Sequence, residues 1–435
     1  MPGDKVTDSA PRRILLVDCD MFFVQVARLE DPDGAGKEPL LIVGGSASGR
    51  GVVTSASYEC RAFGVRSAMP TGRALELCPD AVVVGVSRTA VGERSRAVRR
   101  SLEGLSPVVQ AASVDEFYLD LTGTERLYKG ESLEDSATRI RQAVLKESEI
   151  SVSIGGGTNR LVAKLAARPA KPGGVFIVPP GGEADFVGTL TLRELPGIGP
   201  QLAGALKERG MVTVQDGLRV EASYLEGWLG RSRAEWLQNR MRGIASSEVE
   251  AGDPRKSISS ERTFYNDIDD TLELERRLFK LTVAVAGQLR KQELQARTVT
   301  VKLKDRDFKV RQRSFTFPTA VESDRVLFPK ARELLADLRK ARRIGARLIG
   351  IGLGNLVDRD QPFQIGLFAE TALEESEKDR TLLRAVDGLR DRFGGSAVLP
   401  GGIIPRPGEE RNRGNRGPVG DPSSLDGRDL DDEDS

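Results

Sequence analysis

Short apolar runs alternate with amphipathic stretches over the first 180 residues. Ile14 to Val17 is continuously apolar, as a strand buried on both faces requires, and Pro39–Val43, Val52–Thr54, Ala81–Val86, Val152–Gly157 and Val175–Val178 repeat the pattern. Between them, Phe22–Glu30, Thr89–Leu105, Leu133–Ser148 and Asn159–Ala167 space their apolar residues as helices do. Strands alternating with helices predict a mixed α/β sheet. From 179 to 245 the periodicity is helical. A polar linker, 246–255, leads to a second module with a helix over Leu272–Gln292, strands over Thr298–Lys304 and Arg311–Phe317, a helix over Asp324–Arg339 and a strand over Arg347–Leu353. With an extended opening from Lys256, this reads as a βαββαβ-like α+β unit.

Two places break the apolar runs with acid. The first strand ends in Asp18, Cys19 and Asp20, and a hairpin over Val108–Thr122 is interrupted by Ser113, Val114, Asp115 and Glu116. Adjacent strand residues face opposite ways, so Asp115 and Glu116 converge on one ion only if a turn re-aims them. Acids at strand ends gather hard cations, and Mg²⁺ prefers a few carboxylates plus phosphate oxygens. A strand-end acid capping the next helix and an ordinary acidic turn would look the same, and Asp20 reads best as such a cap, with an acid that supports the ion-facing ones as the alternative.

Composition narrows the chemistry. The 435 residues contain no histidine, which excludes histidine bases, triads and metal ligands. Cys19, Cys60 and Cys78 are odd in number and scattered, arguing for a reducing compartment and against a zinc site. No apolar run reaches membrane-spanning length, and the first residues lack the apolar core of a signal peptide. The net charge of +1 hides polarity: Arg255–Arg347 holds 23 Lys/Arg against 13 Asp/Glu, whereas Leu425–Ser435 is acidic. A basic module suggests a polyanionic partner, although a solvated face carries charge equally well.

Further motifs point to phosphate. Tyr58 and Arg61, three apart, share a helix face, where a phenol and a guanidinium can hold phosphate oxygens. Leu195–Gly210 (hydrophobic, Pro, Gly197, Ile198, Gly199, then a helix) has a helix–hairpin–helix pattern whose turn amides can receive a DNA phosphate. Lys302, Lys304, Arg311 and Arg313 alternate along two strands, predicting one basic sheet face. Gln364, Leu367 and Phe368 form a five-residue pattern in which glutamine suits a polar pocket and the other two an apolar one. Glu374–Phe393 reads as a charged helix and Arg406–Ser435 as a flexible low-complexity end.

Asp18–Phe23 together with Ser113–Glu116 resembles the catalytic signature of Y-family DNA polymerases, in particular the DinB (polymerase IV) branch. The resemblance runs from Arg12 to Asp358 with every module in order. It implies a multidomain right-hand polymerase: palm (12–21 and 85–178), small fingers (22–84), helical thumb with the helix–hairpin–helix (179–245), linker (246–255), little finger (256–357) and a tail (358–435). It implies two Mg²⁺ ions held by Asp18, Asp115, Glu116 and the Cys19 backbone carbonyl. It implies nucleotide contacts from Phe22, Phe23 (the steric gate), Ser55, Tyr58, Arg61 and Lys171. DNA would meet Gly197, Gly199, Lys302, Lys304, Arg311 and Arg313, and a bacterial sliding clamp would take Gln364, Leu367 and Phe368. The chain departs from the family at Arg168–Pro169, where an Asp–Met pair is usual, and at Gly173, usually Asn, which leaves the setting of Lys171 open.

The implied activity is DNA-directed DNA synthesis from dNTPs on a primed template, of low fidelity and able to cross damaged bases, by a monomer in the bacterial cytoplasm that joins the nucleoid on binding DNA. Three rivals remain. A catalytically silent, clamp-tethered accessory would lose metal acids that are present here. A nucleotide cyclase leaves the helix–hairpin–helix and the basic module unused, and a helix–hairpin–helix nuclease leaves Tyr58 and Arg61 unexplained.

Overall fold

The computed structural model describes residues 11–252, 255–359, 377–394 and 397–398. They form two compact units, one of residues 11–47 and 51–252, the other of 48–50 and the described residues from 255 onward. Among the described residues no helix is long and apolar enough to cross a membrane.

The strands of the first unit are β1 (Ile14–Cys19), β2 (Leu41–Gly44), β3 (Val53–Ala56), β4 (Val82–Val84), β5 (Val109–Ala111), β6 (Glu116–Asp120), β7 (Val152–Gly157) and β8 (Val175–Ile177). Five of them make a mixed sheet in the order β5-β6-β1-β7-β8, with β1 antiparallel to both neighbours and β7 parallel to β8. Ile14, Leu15, Leu16 and Val17 are fully buried, as the unbroken apolar run requires of a central strand. The remaining strands make a small sheet, β3-β2-β4.

Helix Arg160–Ala170 lies close on the large sheet because β7 ends in three glycines. A Cβ on Gly155 would fall 2.1 Å from Ala167 N and 2.2 Å from Ala163 O, so no larger residue fits beneath that helix. The helix continues through Pro169 to Ala170, past the turn expected there. Its Leu161 and Leu165 also join a helical cluster built on Val187, Leu192, Leu206, Leu225, Leu237 and Met241.

The second unit is the expected βαββαβ module, with longer strands than the apolar pattern indicates. Strands β9 (Ser257–Ile268), β10 (Leu294–Asp305), β11 (Val310–Val321) and β12 (Ala346–Asp358) pair in the order β11-β10-β12-β9, all antiparallel. Helices Thr271–Lys291 and Asp324–Ala341 cover one face. A helix over Glu377–Phe393 is also present, within the predicted span.

The register corrects one expectation. Opposed residues of an antiparallel pair share a face, and here Val301 opposes Arg313 while Leu303 opposes Arg311. Arg311 and Arg313 therefore side with the helix-covered face, and Arg311 bonds to Leu338 O of the covering helix and to Asp305, at 2.9 and 3.0 Å. Lys302 and Lys304 alone occupy the other face, where Lys302 pairs with Glu261 at 2.7 Å. Strict alternation on neighbouring strands does not specify a shared face; register does. Asp305 is fully buried, so Arg311→Ala strips a buried carboxylate of one partner. Chemical denaturation should show a loss of about 3 kcal/mol, and the salt slope of DNA binding should stay at the wild-type value.

Candidate functional site

Asp18 and Glu116 are directly opposed where β1 meets β6, so their side chains leave the same face of the sheet. Asp115 sits in the turn before β6. Its backbone carbonyl accepts from Cys19 N at 2.9 Å, which ties the turn to the end of β1. Ser113 shapes that turn: its hydroxyl accepts from the amides of Asp115 (3.2 Å) and Glu116 (3.1 Å) and donates to Asp115 Oδ1 (2.5 Å). A serine-closed turn thus carries Asp115 into the start of β6.

Two lysines face these acids. Lys171 Nζ lies 2.6 Å from Asp18 Oδ1, and Lys164 Nζ lies 2.5 Å from Glu116 Oε2. Asp18 has a side chain only 15% exposed. Burial pushes its pKa up to about 6 against the pull of Lys171, with Glu116 and Asp115 adding to the rise. The site therefore concentrates more negative charge than its surroundings solvate.

The donor set is chemically suited to a hard divalent cation: carboxylates and backbone carbonyls, with no imidazole. The Cys19 thiol is buried, and that burial holds it well above its ordinary pKa. Among the described residues no three Asp, Glu, Cys or His side chains stand ready to hold one ion together. Each ammonium group sits on one carboxylate oxygen, Lys171 on Asp18 and Lys164 on Glu116.

Asp20 is not a helix cap. The cap of helix Phe22–Glu30 is Met21, at φ +38° and without a side-chain bond. Asp20 is 2% exposed and accepts from Tyr58 OH (3.0 Å), Ser151 Oγ (2.9 Å), Ser153 Oγ (2.7 Å) and Gly173 N (2.9 Å). One buried carboxylate thus joins β1, β7, the helix carrying Tyr58 and the turn after Lys171. The sequence offers no sign of this hub, because its donors lie 38 to 153 positions away. Lys164 went unseen for the same reason.

Helix Tyr58–Ala62 is capped by Ser57, as expected of a serine at that point. Arg61 lies over the Tyr58 ring, 4.9 Å from its centroid, and donates to Ala56 O at 2.9 Å. The shared face is therefore real, but Tyr58 OH is spent on Asp20, which together with burial holds the phenol well above its ordinary pKa. Ser55 is 5% exposed on β3.

Phe22 and Phe23 part company. Phe22 is 2% exposed, inside the core with Val17, Val26 and Phe117. Phe23 is half-buried, edge-on to Phe22 with 5.8 Å between centroids, and borders a cavity of about 170 Å³ lined by Val26, Ala27, Val84 and Val86.

Gly197 has φ +97°, and a Cβ there would meet the Trp236 ring at 2.6 Å, so glycine is required twice over. Gly199 precedes helix Pro200–Lys207, whose first residue is proline. On the other side of the turn stand a helix over Glu183–Gly188 and a 3₁₀ turn over Leu192–Glu194. Gln364, Leu367 and Phe368 lie outside the described residues.

Comparison with known proteins matches residues 17–168 to the impB/mucB/samB family and residues 255–367 to the C-terminal domain of that family. The chain is 36% identical to a DNA polymerase IV of Caulobacter vibrioides over 88% of its length and 92% of that protein's. It is 38% identical to a DNA polymerase IV of Halorhodospira halophila, covering 79% of this chain and 95% of that one. Among solved structures it resembles a Y-family DNA polymerase chimera, with TM-score 0.71, 27% identity and coverage of 80% of this chain and 99% of that chain. It also resembles DinB from Sulfolobus solfataricus, with TM-score 0.54, 27% identity and the same coverage.

Proposed function

The chain belongs to the impB/mucB/samB family of Y-family DNA polymerases and is a DNA-directed DNA polymerase of the translesion type; we propose that it adds dNTPs at low fidelity to a primer 3′-hydroxyl through a site made of Asp18, Asp115 and Glu116. In this reading the five-stranded sheet is the palm, residues 22–84 the fingers, 179–245 the thumb and 256–357 the little finger. The observation that carries it is that Asp18 and Glu116 oppose each other across β1 and β6 with Asp115 in the adjoining turn, and that burial raises the Asp18 pKa to about 6.

Mg²⁺, held by the three carboxylates and the Cys19 carbonyl, would supply Lewis-acid activation of the 3′-hydroxyl and charge neutralisation on the phosphates. The residues do the rest. Asp18 and Glu116, fixed by adjacent strands, present carboxylate oxygens on one side of the primer terminus. Lys171, released from Asp18, turns its ammonium to the triphosphate. Lys164 stays against Glu116 and holds its orientation. Arg61 offers its fork to the outer phosphates, and Tyr58 adds its hydroxyl once freed from Asp20.

Phe23, adjoining the end of β1, excludes the ribose 2′-hydroxyl. Phe23→Ala is expected to raise ribonucleotide incorporation relative to deoxyribonucleotide by at least about tenfold, read by single-nucleotide extension; an unchanged ratio removes the assignment.

Lys302, Lys304 and the amides near Gly197 and Gly199 would hold duplex phosphates, and Gln364, Leu367 and Phe368 would dock on a sliding clamp. We place the enzyme in the bacterial cytoplasm, on nucleoid DNA when bound, acting as a monomer. Primer extension with Mg²⁺ tests the whole proposal. A protein that binds primed DNA but extends nothing would be the silent accessory instead.

A further inference from the structure

The turn joining β10 to β11 runs through Asp305, Arg306, Asp307, Phe308 and Lys309. Phe308 is out of place there by ordinary rules. Its φ is +67°, in the left-handed region that bulky side chains avoid, and its ring is 57% exposed, so packing returns little for the strain. Lys304 Nζ stands 4.9 Å and the Arg347 guanidinium carbon 4.7 Å from the ring centroid. Arg347 reaches the ring from a bulge: Lys304 pairs with Leu348 and Asp305 with Ala346, which leaves Arg347 unmatched and free to be re-aimed.

The turn is braced from below. Buried Asp305 accepts from Arg311 and, at 3.0 Å, from Arg342, which also reaches Asp307 at 2.7 Å and holds that carboxyl down at about 2. Both acids of the turn are thereby neutralised. Lys304, Arg306, Lys309 and Arg347 have no acidic partner among the described residues. What remains at the tip is an exposed ring, rigidly carried, inside unopposed positive charge.

We propose that Phe308, with Lys304 and Arg347, binds one nucleotide of an unpaired DNA strand, the ring stacking on the base and the two cations taking its phosphate. Every base has a π-face, so such a site tolerates any sequence. Duplex DNA keeps its bases stacked on each other and offers the tip only phosphates. The inference rests on the polymerase reading and adds a stacking site for unpaired strand to it. The plainer role, a ring covering the stems of Lys304 and Arg347, would be filled equally well by leucine.

Fluorescence anisotropy with the full-length protein separates the two. The probes are a dye-labelled primed template with an unpaired 5′ overhang and the same duplex made blunt, at one salt concentration. Phe308→Leu should weaken binding of the overhang substrate about tenfold and of the blunt duplex less than about twofold, and Phe308→Trp should bind both as the wild type does. Wild-type binding of the overhang by the leucine variant, an equal loss on blunt duplex, or failure of the tryptophan variant alongside leucine would each overturn the proposal. Failure of the polymerase reading shows separately, as wild-type protein that extends no primer on the overhang substrate, whichever way the Phe308 variants bind.

Discussion

Asp115→Ala and Glu116→Gln should each cut primer extension by about a thousandfold or more while leaving affinity for primed DNA within about threefold of wild type. The size follows from the chemistry, in which phosphoryl transfer depends almost wholly on positioning and charge neutralisation, and removal of one such group costs about three orders of magnitude. The selectivity follows from the structure. Asp115 lies in a turn closed by Ser113 and by its own backbone carbonyl on Cys19 N, and neither bond needs the Asp115 carboxylate to remain. Glu116→Gln keeps shape and strand pairing, losing only the ion pair to Lys164. A variant that unfolds would lose DNA binding as well, so the ratio of the two measurements separates chemistry from stability.

Asp20→Ala has the second largest expected effect, and it acts through position. The substitution strands two serine hydroxyls and the Tyr58 phenol around a void and removes one of the two acceptors of the Gly173 amide. A loss of about 3 kcal/mol in unfolding free energy is expected, the scale at which buried charged hydrogen-bond networks fail. Asp20→Asn is the sharper probe because it keeps the volume. One amide nitrogen then faces donors, so the Tyr58 phenol loses its acceptor or the Gly173 amide keeps only Ser153 Oγ. KM for the incoming dNTP should rise about tenfold with a smaller change in kcat, since the turn that carries Lys171 is set by Asp20. A fall in kcat alone would place Asp20 nearer the chemistry than the structure does.

Much of this was legible in the sequence, for reasons that can be named. The unbroken apolar run of Ile14–Val17 fixes a central strand, and acids at its end and in a hairpin turn are visible as interruptions of pattern. What was not legible depends on pairing. The register between β10 and β11 divides four basic residues between two faces. Asp20 looks like a cap because its donors come from β7 and from two other elements distant in sequence. Phe22 and Phe23 look alike as neighbours, and only helix phase sends one ring into the core and leaves the other half-buried at a cavity.

Template-directed nucleotide addition is the most direct test of the central claim. Purified protein, Mg²⁺ and a 5′-labelled primer are placed on four templates that differ only in the first unpaired base, with each dNTP supplied singly. The account predicts one-nucleotide extension that follows the template base, tolerates some mispairs, stops on chelation of the metal and disappears in Asp115→Ala. Extension that ignores the template base, or persists in Asp115→Ala, or is absent while primed DNA still binds, would contradict it.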